Sequence, residues 1–116
     1  MKIPIFIFPL ILFTSCQRTE KFDKTKWAEV GDLMTFPNRK YMLNDLLKSY
    51  SLNGRSYKQI IELLGKPQSG LDSNFQMYYD IDIDYDIIDP VYTKTLEFTL
   101  NRDSIVQKCD VNEWRK

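Results

Sequence analysis

From residue 75 onward the chain alternates apolar and polar positions with a period of two. Met77, Tyr79, Ile81, Ile83, Tyr85 and Ile87 interleave with Tyr78, Asp80, Asp82, Asp84 and Asp86. Successive strand side chains point to opposite faces, so this spacing predicts a long strand with one face on a core and one in water. Asp89-Pro90 is expected to break it. The alternation resumes over residues 93–100, with Leu96, Phe98 and Leu100 inward and Thr95, Glu97 and Thr99 outward. Residues 101–104 (NRDS) read as a turn. A third strand is expected over residues 105–111, with Ile105, Cys109 and Val111 on its core face.

Upstream the period lengthens to that of a helix. Pro37 suits a first helical turn, where its missing N–H costs nothing. Leu43, Leu46, Leu47 and Tyr50 then recur at i, i+3, i+4 and i+7, which predicts one apolar stripe. Arg39, Lys40, Asn44, Asp45 and Lys48 are expected on the opposite side. Asn53-Gly54 closes that segment as a turn. Ser56 and Gln59 form a capping box: the Ser56 hydroxyl can accept from the Gln59 N–H, and the Gln59 side chain can reach back. Tyr57, Ile60, Ile61 and Leu64 supply the next stripe. Gly65 stands where a positive-φ residue ends a helix, and Pro67 prevents continuation. Two helices followed by three sequential strands predict an α+β domain, with two helices packed on one face of a three-stranded antiparallel meander.

The first residues follow a third pattern. Lys2 precedes an apolar stretch over residues 3–13, interrupted only by Pro4 and Pro9. A bilayer core needs about 20 helical residues to cross, so this run is too short to span. It has the order of a secretory signal, with a charged start and small residues at its end. Those small residues, Thr14 and Ser15, lead directly into Cys16. The arrangement resembles a bacterial lipobox, with Phe13 where Leu is usual. A lipobox implies a diacylglycerol thioether on Cys16. The alternative is an ordinary signal beside an incidental cysteine. The expected organisation is a lipoprotein signal peptide over 1–15, lipidated Cys16 with a flexible tether over 16–34, and a small αα-βββ domain over 35–116. Within the tether, Trp27 is expected to dock on the domain through a turn or short helix.

Composition narrows the function classes. The formal net charge is zero, which points away from nucleic acid. The 116 residues include no histidine, which removes His-based general bases, Ser/His/Asp and Cys/His systems and most zinc sites. With Cys16 lipidated, Cys109 is the only remaining thiol and has no partner for an internal disulfide. It reads as a small buried hydrophobe.

Asp80, Asp82, Asp84 and Asp86 are the sharpest cluster. Asp82-x-Asp84-x-Asp86 matches the first half of an EF-hand loop, but its sixth position is Ile87 and its twelfth is Thr93, where Gly and Glu are required. No metal and no cofactor are expected. On a strand these carboxylates project along one line, either as a solvated face or, with Tyr78, as a surface for a partner.

The segment from Leu52 to Pro67 (LNGRSYKQIIELLGKP) resembles a helix of small bacterial lipoproteins of the SmpA/OmlA (BamE-like) group. Gly54, Ser56, Gln59, Ile60, Leu64, Gly65 and Pro67 carry the resemblance. The group's second hairpin usually holds a Gly that is missing between Leu100 and Ile105 here. The resemblance implies a lipidated cysteine and tether, two helices and a three-stranded sheet. It further implies a non-enzymatic accessory or scaffold in outer-membrane assembly or maintenance, partnered by the membrane and another envelope protein, with no small-molecule substrate. Gln17 follows Cys16, where Asp is the retention signal for the inner membrane of enteric bacteria, so the outer membrane is the expected location. The alternative function is an inhibitor or immunity-type binder that uses its exposed sheet face.

Overall fold

The computed structural model describes residues 18–116. The signal segment, Cys16 and Gln17 lie outside the described residues. The elements in order are α1 (Lys24–Ala28), a 3₁₀ turn (Asp32–Met34), α2 (Arg39–Ser49), α3 (Tyr57–Leu64), β1 (Gln76–Asp86), β2 (Asp89–Leu100) and β3 (Val106–Arg115). The strands form an antiparallel sheet in the order β1-β2-β3. The fold is α+β.

α3 has the limits its punctuation predicts. Ser56 Oγ accepts from the Gln59 N–H at 3.2 Å, and Gln59 Oε1 accepts from the Ser56 N–H at 2.9 Å. Gly65 ends the helix at φ 80° and ψ −162°, a region essentially restricted to glycine. Ile60 and Leu64 are buried.

α2 is rotated from its expected stripe. Its buried residues are Arg39, Met42, Leu43 and Leu46, while Leu47 is exposed. The stripe therefore starts one turn earlier, and Arg39, expected on the wet side, lies inside it. The cause is tertiary: an aromatic seat and three acceptors receive its guanidinium.

Met77, Tyr79 and Ile81 from β1, Leu96, Phe98 and Leu100 from β2, and Val106 from β3 join Met42, Leu46, Ile60 and Leu64 in one core cluster. Each such side chain contributes about 2 kcal/mol by leaving water. An aromatic chain runs through it. Phe22 lies 5.7 Å from Trp27, Trp27 6.4 Å from Tyr79, and Tyr79 5.9 Å from Phe98, the last pair edge-to-face.

Three expectations are corrected here. The described part of the expected tether, from residue 18, is not free along its length. The Glu20 N–H donates to the Tyr41 carbonyl at 2.8 Å, the Phe22 N–H donates to Asp45 Oδ2 at 2.7 Å, and Asp23 caps α1. Trp27 docks as expected and is fully buried. The first strand ends at Asp86, slightly before the break expected at Asp89-Pro90: the chain turns at Ile87-Ile88, and Asp89-Pro90 begins β2. Proline is tolerated at a strand's first positions, where a ladder donor is dispensable. Finally, β3 carries an extra residue, Gln107, between the Thr99–Lys108 and Leu100–Val106 pairs. The resulting bulge turns Val106 into the core in place of Ile105, while Cys109 and Val111 keep the expected side, opposite Phe98 and Leu96, with Val111 exposed on the edge strand.

Candidate functional site

The site begins with Arg39, the first residue of α2, which is 2% exposed. Its guanidinium lies 3.6 Å from the Phe36 ring centroid and 4.7 Å from that of Trp27. Nε donates to the Trp27 carbonyl at 2.9 Å. Nη1 donates to Gln68 Oε1 at 2.7 Å and to the Asp80 carbonyl at 2.8 Å. Gln68 Oε1 also accepts from the Asp80 N–H at 2.8 Å. Two side chains thus occupy both main-chain groups of Asp80 on the outer edge of β1. Nearer the strand's start, the main chain of Ser69 pairs with Tyr78. An edge strand closed in this way cannot recruit another chain over that stretch. Burial pushes the Arg39 guanidinium down to about 10, partly offset by the Asp80 charge, so it stays cationic at neutral pH. Burial also holds the Asp80 carboxyl above its ordinary value, with Arg39 opposing.

Just past this point β1 takes in an extra residue. Asp80 pairs with Thr95 but Asp82 pairs with Lys94, leaving Ile81 as the bulge. Ile81 is buried, and side-chain parity is reversed beyond it. Asp80 therefore shares the open face with Tyr78 and Thr95. Asp82 and Asp84 share the other face with their partners Lys94 and Tyr92. The expected single outward line of carboxylates is corrected: Tyr78 and Asp80 lie on the open face, Asp82 and Asp84 beside α2, and Asp86 at the hairpin turn opposite Asp89. A bulge cannot be read from alternation because the strand's own pattern runs through it unbroken.

Asp82 and Asp84 help line a cleft of about 380 Å³ between β1 and the start of α2, with Phe36, Lys40, Tyr41 and Arg18. Lys40 Nζ stands 3.9 Å from Asp82 Oδ1. Arg18 lies over the Tyr41 ring at 4.2 Å. The register carries the charge pattern across the sheet in two rows, Asp82–Lys94–Glu113 and Asp84–Tyr92–Arg115. The Tyr92 hydroxyl donates to Glu113 Oε2 at 2.6 Å and Arg115 lies 4.5 Å over its ring. Burial, then the Glu113 contact, pushes the Tyr92 phenol up to about 12.

Among the described residues no three His, Cys, Asp or Glu side chains converge as metal ligands. Asp80 and Asp82 lie on opposite faces across the bulge, and Asp86 sits apart at the hairpin turn. Cys109 is half-buried, and burial followed by the Asp110 charge pushes its thiol up to about 12. A thiol so protonated is a poor nucleophile. The arrangement is a polar surface on which charges of opposite sign alternate.

Arg39, Gln68 and Lys40 organise this site and were not candidates from sequence. The one signal for Arg39 is its place four residues before Leu43, on the buried face of α2. No family model, curated protein or solved structure matches this chain.

Proposed function

We propose that this chain is a non-enzymatic lipoprotein, anchored to the bacterial outer membrane through Cys16, that serves as an accessory or scaffold in envelope assembly or maintenance. The observation that carries the reading is how soon the chain docks after Cys16. Glu20 is already bonded to Tyr41 on α2. Four extended residues reach at most about 14 Å. A lipid on Cys16 would therefore hold the cleft side of the domain close to the bilayer, as an oriented platform. Several long acyl chains, at about 0.8 kcal/mol per buried CH₂, make such an anchor almost permanent.

The mixed charges around the cleft support a protein partner. Pairs such as Lys40–Asp82 set orientation and association rate more than affinity. A chain without histidine, whose described thiol is held protonated, supplies little for acid–base or nucleophilic chemistry.

Two experiments test this. Cys16→Ser should leave the protein unprocessed or soluble; mature-length mutant protein in the membrane fraction would sink the anchor. A pull-down from detergent-solubilised envelope should recover barrel-assembly components. Recovery of one soluble hydrolase or toxin would instead support a second reading, an inhibitor or immunity-type binder. That reading is favoured by the open sheet face, where Tyr78, Glu97 and Asp110 form one row and Trp114 is exposed.

A further inference from the structure

The turn between β1 and β2 is built against its own stability. Ile87 and Ile88 are 87% and 77% exposed, above every other large apolar residue among those described. Ile87 has φ 63°. Two-residue hairpin turns favour Gly, Asn or Asp at such positions, and a β-branched residue there is an outlier. Asp86 faces Asp89 directly across the turn. Like charges directly opposite destabilise a strand pair. No Lys or Arg occurs between Ile83 and Lys94, whereas Asp84, Asp86 and Asp89 all do. Glycine or asparagine at Ile87, and a cation at Asp86 or Asp89, would each suit the isolated hairpin better. A backbone outlier together with exposed apolar side chains motivates a role in contact.

We propose that this tip docks into a second protein, with Ile87 and Ile88 entering an apolar pocket and Asp86 and Asp89 pairing with Lys or Arg on its rim. This rests on the reading of the chain as an envelope binding module and names how it grips. One such partner relieves both defects: it covers the isoleucines and neutralises the facing carboxylates. A lipid surface covers only the isoleucines, and an anionic one repels the aspartates. Two apolar side chains at the centre of a charged ring match the anchor-and-rim pattern of protein interfaces.

The test uses the full lipoprotein in its native envelope, with a photo-crosslinking residue at Ile88 or at Tyr57. Tyr57 is exposed and lies by the β2–β3 turn at the opposite end of the sheet, its N–H bonded to Ser104. Crosslinking from position 88 should give one protein adduct that position 57 does not, mapped to apolar residues beside Lys or Arg. Charge reversal in Asp86→Lys/Asp89→Lys should lower its yield at least tenfold. Ile87→Asn should lower the yield similarly while holding or raising the melting temperature, which separates lost contact from lost fold. Adducts only to lipid, only to another copy of this chain, or equal at both positions would overturn the proposal. So would an adduct indifferent to charge reversal. If Asp82→Asn/Asp84→Asn releases the envelope partner while the tip variants retain it, the tip inference fails and the envelope-scaffold reading stands.

Discussion

Arg39 Nη1 donates to the Asp80 carbonyl at 2.8 Å, so the first side chain of α2 closes the edge of β1 immediately before its bulge. The same guanidinium holds Trp27 and Gln68. Helix, N-terminal segment and sheet are therefore tied at one cation. Arg39→Met keeps the apolar stem but leaves the buried Trp27 carbonyl and the part-buried Asp80 carbonyl without this donor. It should cost about 3 kcal/mol by chemical denaturation. Arg39→Lys should rescue little of this, because an ammonium lacks the planar fork that reaches several acceptors at once. Full stability in the lysine variant would count against the geometry.

The ends of α3 should respond by different mechanisms. Ser56→Ala removes one half of the capping box and should cost about 1 kcal/mol. Gly65→Val should cost more, even though a Cβ there meets nothing within 4 Å. The whole effect is backbone conformation at φ 80°, where β-branched residues are disfavoured. Unchanged denaturation midpoints in both variants would refute these limits.

Acid should loosen the N-terminal segment. The Phe22 N–H, then the Ser49 hydroxyl, hold the Asp45 carboxyl below its ordinary value. A folded value below the unfolded one gives stability present above the unfolded value and lost as pH falls through the folded one. Asp80 runs oppositely: its raised folded value favours the protonated form, so its contribution is lost as pH rises. Asp45→Asn should therefore lower the melting temperature near neutrality, with the difference closing in acid. Asp80→Asn should leave it unchanged in acid and raise it slightly near neutrality. Parallel pH profiles for wild type and both variants would contradict these assignments.

Asp82 and Asp84 should matter to partners and little to the fold. The 3.9 Å Lys40–Asp82 pair is partly open to water. Exposed pairs of this kind contribute at most about 1 kcal/mol. Asp82→Asn/Asp84→Asn should stay within about 0.5 kcal/mol of wild type. Calcium should not shift the melting temperature, since only a ligand of the native state does so. A calcium-dependent rise abolished by the double variant would restore a metal site.

Cys109 should label slowly with an aromatic disulfide reagent at pH 8. Its thiol is half-buried and pushed up to about 12. Reaction in the native protein should run at least about tenfold slower than in denaturant, because the thiolate is the reacting form. Equal rates would place Cys109 on an open surface.

What the sequence determined by itself was local. The capping box of Ser56 and Gln59, the Gly65 stop and the alternation of Leu96, Phe98 and Leu100 each depend on residues a few positions apart, and the structure has all three. The order of elements and the turn at residues 101–104 followed from the same short-range signals. Tertiary structure decided which way the remaining side chains face. The bulges at Ile81 and Gln107 reverse parity only because neighbouring strands set the register. The burial of Arg39 needs Phe36, Trp27, Gln68 and Asp80, which lie up to 41 residues away. The docking of Glu20 and Phe22 depends on acceptors supplied by α2. Period and punctuation record how a segment folds against its immediate neighbours, whereas register and buried cations are settled by contacts between segments that one chain pattern does not encode.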